Sequence, residues 1–280
     1  MICATLILVN LFSIVLTYRC EEAGKSGIQL ILSGQLQEGV AGLRQVVLEC
    51  PESPRARYDL GFGLLASGKY KEAEAEFREA IRQDPKFARA HYQLGVTLAR
   101  SMEVQGEATG AYEWDFAISE LRIALESNPA DADAHFNLAT LQARKKSATE
   151  ALAEVRECIR LQPDYPGASG LVGAMLYLTG EFQKAIPFLR QAVAEKGDAV
   201  PPHDYLGLAL MKTGRTKEAV EQFEIVTRLD PDYAPAHYNL GMALKKFDQN
   251  VRAKDELEKF RRLRETEKKR KRIDFYDERQ

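Results

Sequence analysis

Histidine and cysteine are scarce, four of each in 280 residues. So few cysteines exclude a disulfide-dense secreted scaffold. Four histidines leave little for a histidine-based metal or catalytic centre. An excess of charge of one sign is lacking as well: a net charge of −2 excludes a globally basic nucleic-acid binder. No phosphate loop, GxSxG, HExxH or CxxC is present, so no short motif points to phosphate, nucleophile or zinc chemistry. The acidic residues spread along solvent faces at helical spacing, and the reading is of a protein that is not an enzyme. What is plentiful is apolar side chain, 45% against 29% charged, enough to bury a sizeable core and to exclude global disorder.

The apolar residues begin at once. Residues 2–18 carry no charge, and Arg19 ends the run. As a helix this stretch spans about 26 Å, just short of a typical hydrocarbon core. Three readings stay open: a cleaved signal peptide, an uncleaved membrane anchor, or a buried helix behind a mis-set start. No basic residue precedes the run, and small residues suited to cleavage are hard to find after it. Residues 1–19 are therefore read as a signal peptide or anchor, and the chain as exported or membrane-anchored.

Behind it lies an internal repeat. Pro51, Pro85, Pro129, Pro163 and Pro231 are spaced by 34, 44, 34 and 68 residues. Aligned on them, residues 20–267 divide into segments 20–53, 54–87, 88–131, 132–165, 166–199, 200–233 and 234–267. All are 34 residues long except 88–131, which carries ten more. Position 8 is small throughout (Gly27, Gly61, Gly95, Ala139, Gly173, Gly207, Gly241). Position 24 is large and apolar throughout (Leu43, Phe77, Leu121, Val155, Leu189, Phe223, Leu257). Residues at 4, 7 and 11, then at 17, 20, 24 and 27, apolar at most of these positions except 4, give one packing face on each of two helices. Gly34, Gly68, Gly180 and Gly214 at position 15 mark the turn between them. Ten of the eleven prolines lie at segment junctions; Pro187 alone falls inside a helix, near its first turn.

This pattern, carried most closely by RARYDLGFGLLASGKYKEAEAEFREAIRQDP and PAHYNLGMALKK, resembles the tetratricopeptide repeat family. The resemblance implies an all-α, right-handed α-solenoid of about seven helix-turn-helix units. An N-terminal apolar helix would precede it and a C-terminal capping helix would end it. It also implies a concave groove, lined by the first helix of each pair, that takes an extended peptide or a partner helix. The groove positions of the family are 2, 5, 6, 9, 12 and 13. They carry Arg55, Arg89, Arg100, Arg144, Lys212, Lys245 and Lys246 against Asp59, Asp133 and Asp204, a formal +4. Residues 21–251 as a whole carry −7. Tyr58, Tyr92, Phe136 and Tyr238 share position 5 and offer flat apolar faces beside the cations. The expected ligand is therefore a protein or peptide with acidic groups; the alternative is a generic repeat surface without a ligand.

The remaining features have quieter readings. His91, His135, His203 and His237 all stand at position 4, where they pack the first helix, and no metal or cofactor is expected. Cys158 reads as an inert buried thiol. Cys20 and Cys50, at positions 1 and 31 of the first repeat, come near each other if its two helices pair antiparallel, and a disulfide between them is an option open to the chain if it is exported. The insertion near 101–112 reads as a loop, or a helix extension ending in a loop, with Trp114 structural. The run 261–272 holds eight basic and two acidic residues and continues the last helix as a polar cap. Its alternative is a patch for anionic lipid; no nucleic acid is expected, because no aromatics interleave the basic run. Residues 268–280 form a charged tail, frayed from 273.

Overall fold

The computed structural model describes residues 18–105 and 111–277. Most of the apolar segment 2–18, the centre of the insertion and the last three residues lie outside the described residues. Among those described there are helices and no strands, and no helix is long and apolar enough to cross a membrane.

The helices alternate as first (A) and second (B) members of pairs. The A helices are α1 (residues 18–32), α3 (Pro54–Ala66), α5 (Ala88–Gln105), α7 (Ala132–Arg144), α9 (Ala168–Leu178), α11 (Val200–Lys212) and α13 (Ala234–Lys246). The B helices are α2 (Leu36–Glu49), α4 (Tyr70–Gln83), α6 (Ala111–Ser127), α8 (Ala148–Leu161), α10 (Phe182–Glu195), α12 (Thr216–Leu229) and α14 (Asn250–Asp277). The chain divides into two compact units at Leu141/Gln142. In the first, α3 packs on α4 and α5 on α6, with α2·α3 and α4·α5 joining successive pairs. In the second, α9·α10, α11·α12 and α13·α14 are the pairs, joined by α8·α9, α10·α11 and α12·α13. Within each unit these helices pack on their neighbours in sequence, as in a stretch of α-solenoid.

Local chemistry starts and stops the helices. Ser53 caps α3, its Oγ accepting from the Ala56 N–H at 3.2 Å, with Pro54 as the first helical residue. At the turn inside a pair, the residue at position 15 is left-handed. Its successor's N–H reaches back five residues, as in Lys69 to Leu64 O (2.9 Å) and Arg215 to Leu210 O (2.9 Å). Gly34, Gly68, Gly180 and Gly214 take φ between +72° and +85°. Lys146 (φ 62°) and Asp248 (φ 57°) hold the same position without glycine's freedom. The left-handed conformation costs an L-residue about 1–2 kcal/mol. Lys146→Gly is therefore expected to raise stability by about 1 kcal/mol, read as a higher urea midpoint.

Two expectations need correction. Pro187 is the sixth residue of α10, in its second turn and not its first. There it leaves the Gln183 carbonyl without its intrahelical donor. And α14 does not fray from 273 but continues to Asp277. Glu265 stands where five of the other six repeats have proline, and the Lys and Arg that follow are good helix formers.

Within a pair, packing is a glycine against a large side chain. A Cβ on Gly61 would lie 2.7 Å from Phe77, on Gly95 2.9 Å from Leu121, and on Gly207 2.5 Å from Phe223. Phe77, Leu121 and Phe223 are completely buried. A position-4 to position-23 link fastens the polar edge of the pair: His91 to Glu120 (2.6 Å), His203 to Gln222 (2.8 Å), His237 to Glu256 (2.6 Å), and Arg57 to Glu76 (3.0 Å). The other ring nitrogen, Nε2, of His91, His203 and His237 donates to the backbone oxygen six residues upstream, at 2.9–3.1 Å. Burial pushes the Glu256 carboxyl up, but hydrogen bonds from Lys259 and His237 outweigh it and hold the group below its usual range. These histidines are structural ties between helices.

Candidate functional site

The A helices carry the family's groove positions, some exposed, as Arg89 and Arg100, and some buried, as Asp59 and Asp204. In the first unit they surround a cavity of about 430 Å³ between α3, α5 and the end of α6. Tyr58, Arg89 and Tyr92 line it, with Gln93, Asn128 and Asp131. Arg89 stands exposed at the rim, whereas both tyrosines are half-buried. Tyr58 packs on Phe77 and Phe87, with ring centroids 5.8 and 5.2 Å away, so it belongs as much to the core as to the surface.

The tyrosine hydroxyls are committed between repeats. Tyr58 bonds to Gln93, and the Tyr92 hydroxyl accepts from Asn137 Nδ2 at 3.1 Å. Each bridge joins position 5 of one repeat to position 6 of the next. In the second unit Asp204 and Asn239 make the same bridge, Oδ1 to Nδ2, at 3.1 Å. Burial pushes the Tyr92 phenol up to about 12, helped by the negative Asp133 and Asp131 and opposed by Arg100. Tyr92 is thus a neutral donor at any ordinary pH, and Arg100 lies within its electrostatic reach.

The other groove residues are distributed. Arg55 is bound to Asp59 at 2.8 Å and lies 5.7 Å from the centre of the Tyr58 ring, so its charge is already paired. Burial pushes the Asp59 carboxyl up against the pull of Arg55. Phe136 is half-buried on α7. In the second unit Arg144 is exposed at the end of α7, and Lys212 lies 5.9 Å from the Phe182 ring centre. Tyr238, 44% exposed, packs 5.2 Å from Phe260; Lys245 and Lys246 are exposed at the end of α13. Within the first unit the structure therefore brings Tyr58, Arg89 and Tyr92 to one cavity, whereas Arg55, Arg100 and Phe136 do not line it.

A larger cavity, about 670 Å³, lies at the first pair. It is lined by Lys25, Glu49, Glu52, Arg55 and Asp59 together with Cys20 and Cys50. The two cysteines form a disulfide spanning 30 residues, Cα to Cα 6.5 Å. Cys158 is a buried thiol outside this disulfide. Among the described residues no group of three or more His, Cys, Asp or Glu could hold a metal ion.

The sequence reading missed Gln93, Asn128 and Asp131. The step from position 5 to position 6 of the next repeat signals Gln93. Nothing in the pattern signals the other two, which lie in and beside the turn after α6.

Helix pairs of this geometry, with a small-on-large contact at fixed positions, define a helical repeat protein with an exposed A-helix face. A family model described as "TPR repeat" matches residues 63–101 and 207–246, and one described as "Tetratricopeptide repeat" matches 111–166 and 149–200. The chain belongs to the tetratricopeptide repeat family. Solved structures agree on the fold. YrrB, described as a TPR protein with an unusual peptide-binding site, is 22% identical with a TM-score of 0.55, covering 67% of this chain and 91% of its own. PilF from Pseudomonas aeruginosa is 20% identical with a TM-score of 0.58, covering 76% and 92%. MamA from Desulfovibrio magneticus RS-1 is 19% identical with a TM-score of 0.54, covering 63% and 96%. No curated protein matches the sequence.

Proposed function

We propose that the chain is a non-catalytic scaffold that holds a peptide or helix of a partner protein against its A-helix faces. The cavity floored by Tyr58 and Tyr92 and rimmed by Arg89 is the observation that carries this reading. An apolar side chain of the partner would cover the rings. Acidic groups beside it would pair with Arg89 and Arg100 of the same unit, both exposed. The tyrosines are held by their bridges before the ligand arrives, so little side-chain entropy is lost on binding. The peptide-binding site named for YrrB supports the same class of role. Export or anchoring through residues 2–18 is part of the proposal, and the Cys20–Cys50 pairing supports it, since disulfides persist in oxidising compartments.

Affinity capture with wild type and an Arg89→Glu/Arg100→Glu variant of unchanged helicity tests the reading. A partner held by wild type should bind the variant about 30-fold or more weakly. Equal capture by both would sink it. A second reading rests on α14, 28 residues long and exposing Arg261, Arg262, Arg264, Lys268 and Lys269, a surface for anionic lipid. Loss of anionic-liposome flotation on removing 261–280, with capture intact, would favour it.

A further inference from the structure

On the A-helix face of the second unit, Asp204 of α11 is 9% exposed, and no Lys or Arg among the described residues pairs with it. Its partners are neutral donors: Asn239 Nδ2 at 3.1 Å and the Tyr233 hydroxyl at 3.5 Å. A buried carboxylate without a counter-charge is costly. Asp59, equally deep in the first unit, differs in this respect, because Arg55 of its own helix covers it. Aromatic rings gather round Asp204. Tyr177 of α9 and Tyr205 of α11 meet edge to face with centroids 5.6 Å apart. The negative charge of Asp204 acts on Tyr177, Tyr205 and Tyr233 alike, so all three stand close to it. All three rings are partly exposed.

We propose that Asp204, Tyr177, Tyr205 and Tyr233 form a subsite for a cationic side chain, an arginine of a partner protein. The guanidinium would lie against the tyrosine faces and supply the counter-charge that Asp204 lacks. Asn239 and the Tyr233 hydroxyl orient the carboxylate and cannot neutralise it, so the vacancy is electrostatic and selects charge over shape. The burial that pushes the Asp204 carboxyl up is the same burial that makes an arriving cation effective there. This subsite does not depend on the acidic-ligand reading of the basic residues elsewhere; it adds a demand of opposite sign on the partner.

The test uses the full chain and two probes, acetyl-Gly-Arg-Gly-amide and its neutral citrulline counterpart, followed by amide NMR shifts at up to about 10 mM. The arginine probe should move resonances of α9, α11 and the start of α13, and the citrulline probe should bind at least about tenfold more weakly. Asp204→Asn, which keeps hydrogen-bonding capacity toward Asn239 and Tyr233, should lose the preference for arginine. Tyr205→Leu should weaken arginine binding roughly 3- to 30-fold. Equal shifts from both probes, shifts confined to other helices, no shifts at all, or undiminished binding in Asp204→Asn would each overturn the proposal. The comparison of the two probes on the wild-type chain decides the matter even where a variant fails to fold.

Discussion

Replacing Phe223 with alanine is expected to lower the unfolding free energy of the second unit by about 3–5 kcal/mol. The ring is completely buried and fills the space left by Gly207, where even one added carbon would lie 2.5 Å from it. The converse change, Gly207→Leu, forces a side chain into occupied space and should cost about 1–3 kcal/mol or more. Together the two nearly conserve volume. The double variant should therefore be more stable than Phe223→Ala alone, with a coupling of about 0.5–3 kcal/mol between the sites. Urea unfolding of the four proteins, followed by circular dichroism, measures it. Simple additivity of the two losses would show that the helices separate and relax at this contact, and that the glycine is not there to admit the ring.

The second large effect is expected at the first pair. Closing a loop across 30 residues removes unfolded-state entropy worth about 3–4 kcal/mol in the chain-entropy account. Purified oxidised, Cys20→Ser should lose that much protection in the helix of residues 18–32 and in α2, with little change in α11 or α12. The contrast arises because repeat arrays unfold locally. Hydrogen exchange resolved by segment reads the difference. Reductant should bring wild type to the level of the variant and leave the variant unchanged. Protection that is the same in wild type and variant, and indifferent to reductant, would show that packing of Gly27 against Leu43 alone holds the pair.

These two sites differ in how far the sequence reveals them. Gly207 and Phe223 are legible because a strict alternation of small and large at positions 8 and 24 has one cheap explanation, two helices in close contact. The histidines at position 4 are legible as structural for the same reason: a position fixed within each pair serves the pair. Depth and commitment are harder. Tyr58 and Tyr92 read as open aromatic faces, yet their hydroxyls belong to Gln93 and Asn137 of the next repeat. Nothing within one repeat shows a bond made to another. Asp59 and Asp204 count equally in a tally of groove charge, but one is paired and the other is not. Left-handed backbone is legible where glycine marks it and silent at Lys146 and Asp248. The end of α14 was obscured because Ile-Asp-Phe-Tyr-Asp at 273–277 is weak in helix propensity, yet the helix begun in the basic run before it carries on to Asp277.

The two edges of the array are fastened by different chemistry. On the A edge the ties are amide and hydroxyl bridges with buried or half-buried partners, as between Asp204 and Asn239. On the B edge successive helices are joined by exposed ion pairs at positions 25 and 19: Arg44 with Glu72, Arg190 with Glu218 at 2.6 Å, and Arg252 with Glu224. Dissolved salt screens exposed pairs and scarcely touches buried bridges. Rising ionic strength thus slackens one margin of each unit while the other keeps its length, and curvature within a unit becomes a quantity that the surrounding electrolyte can tune.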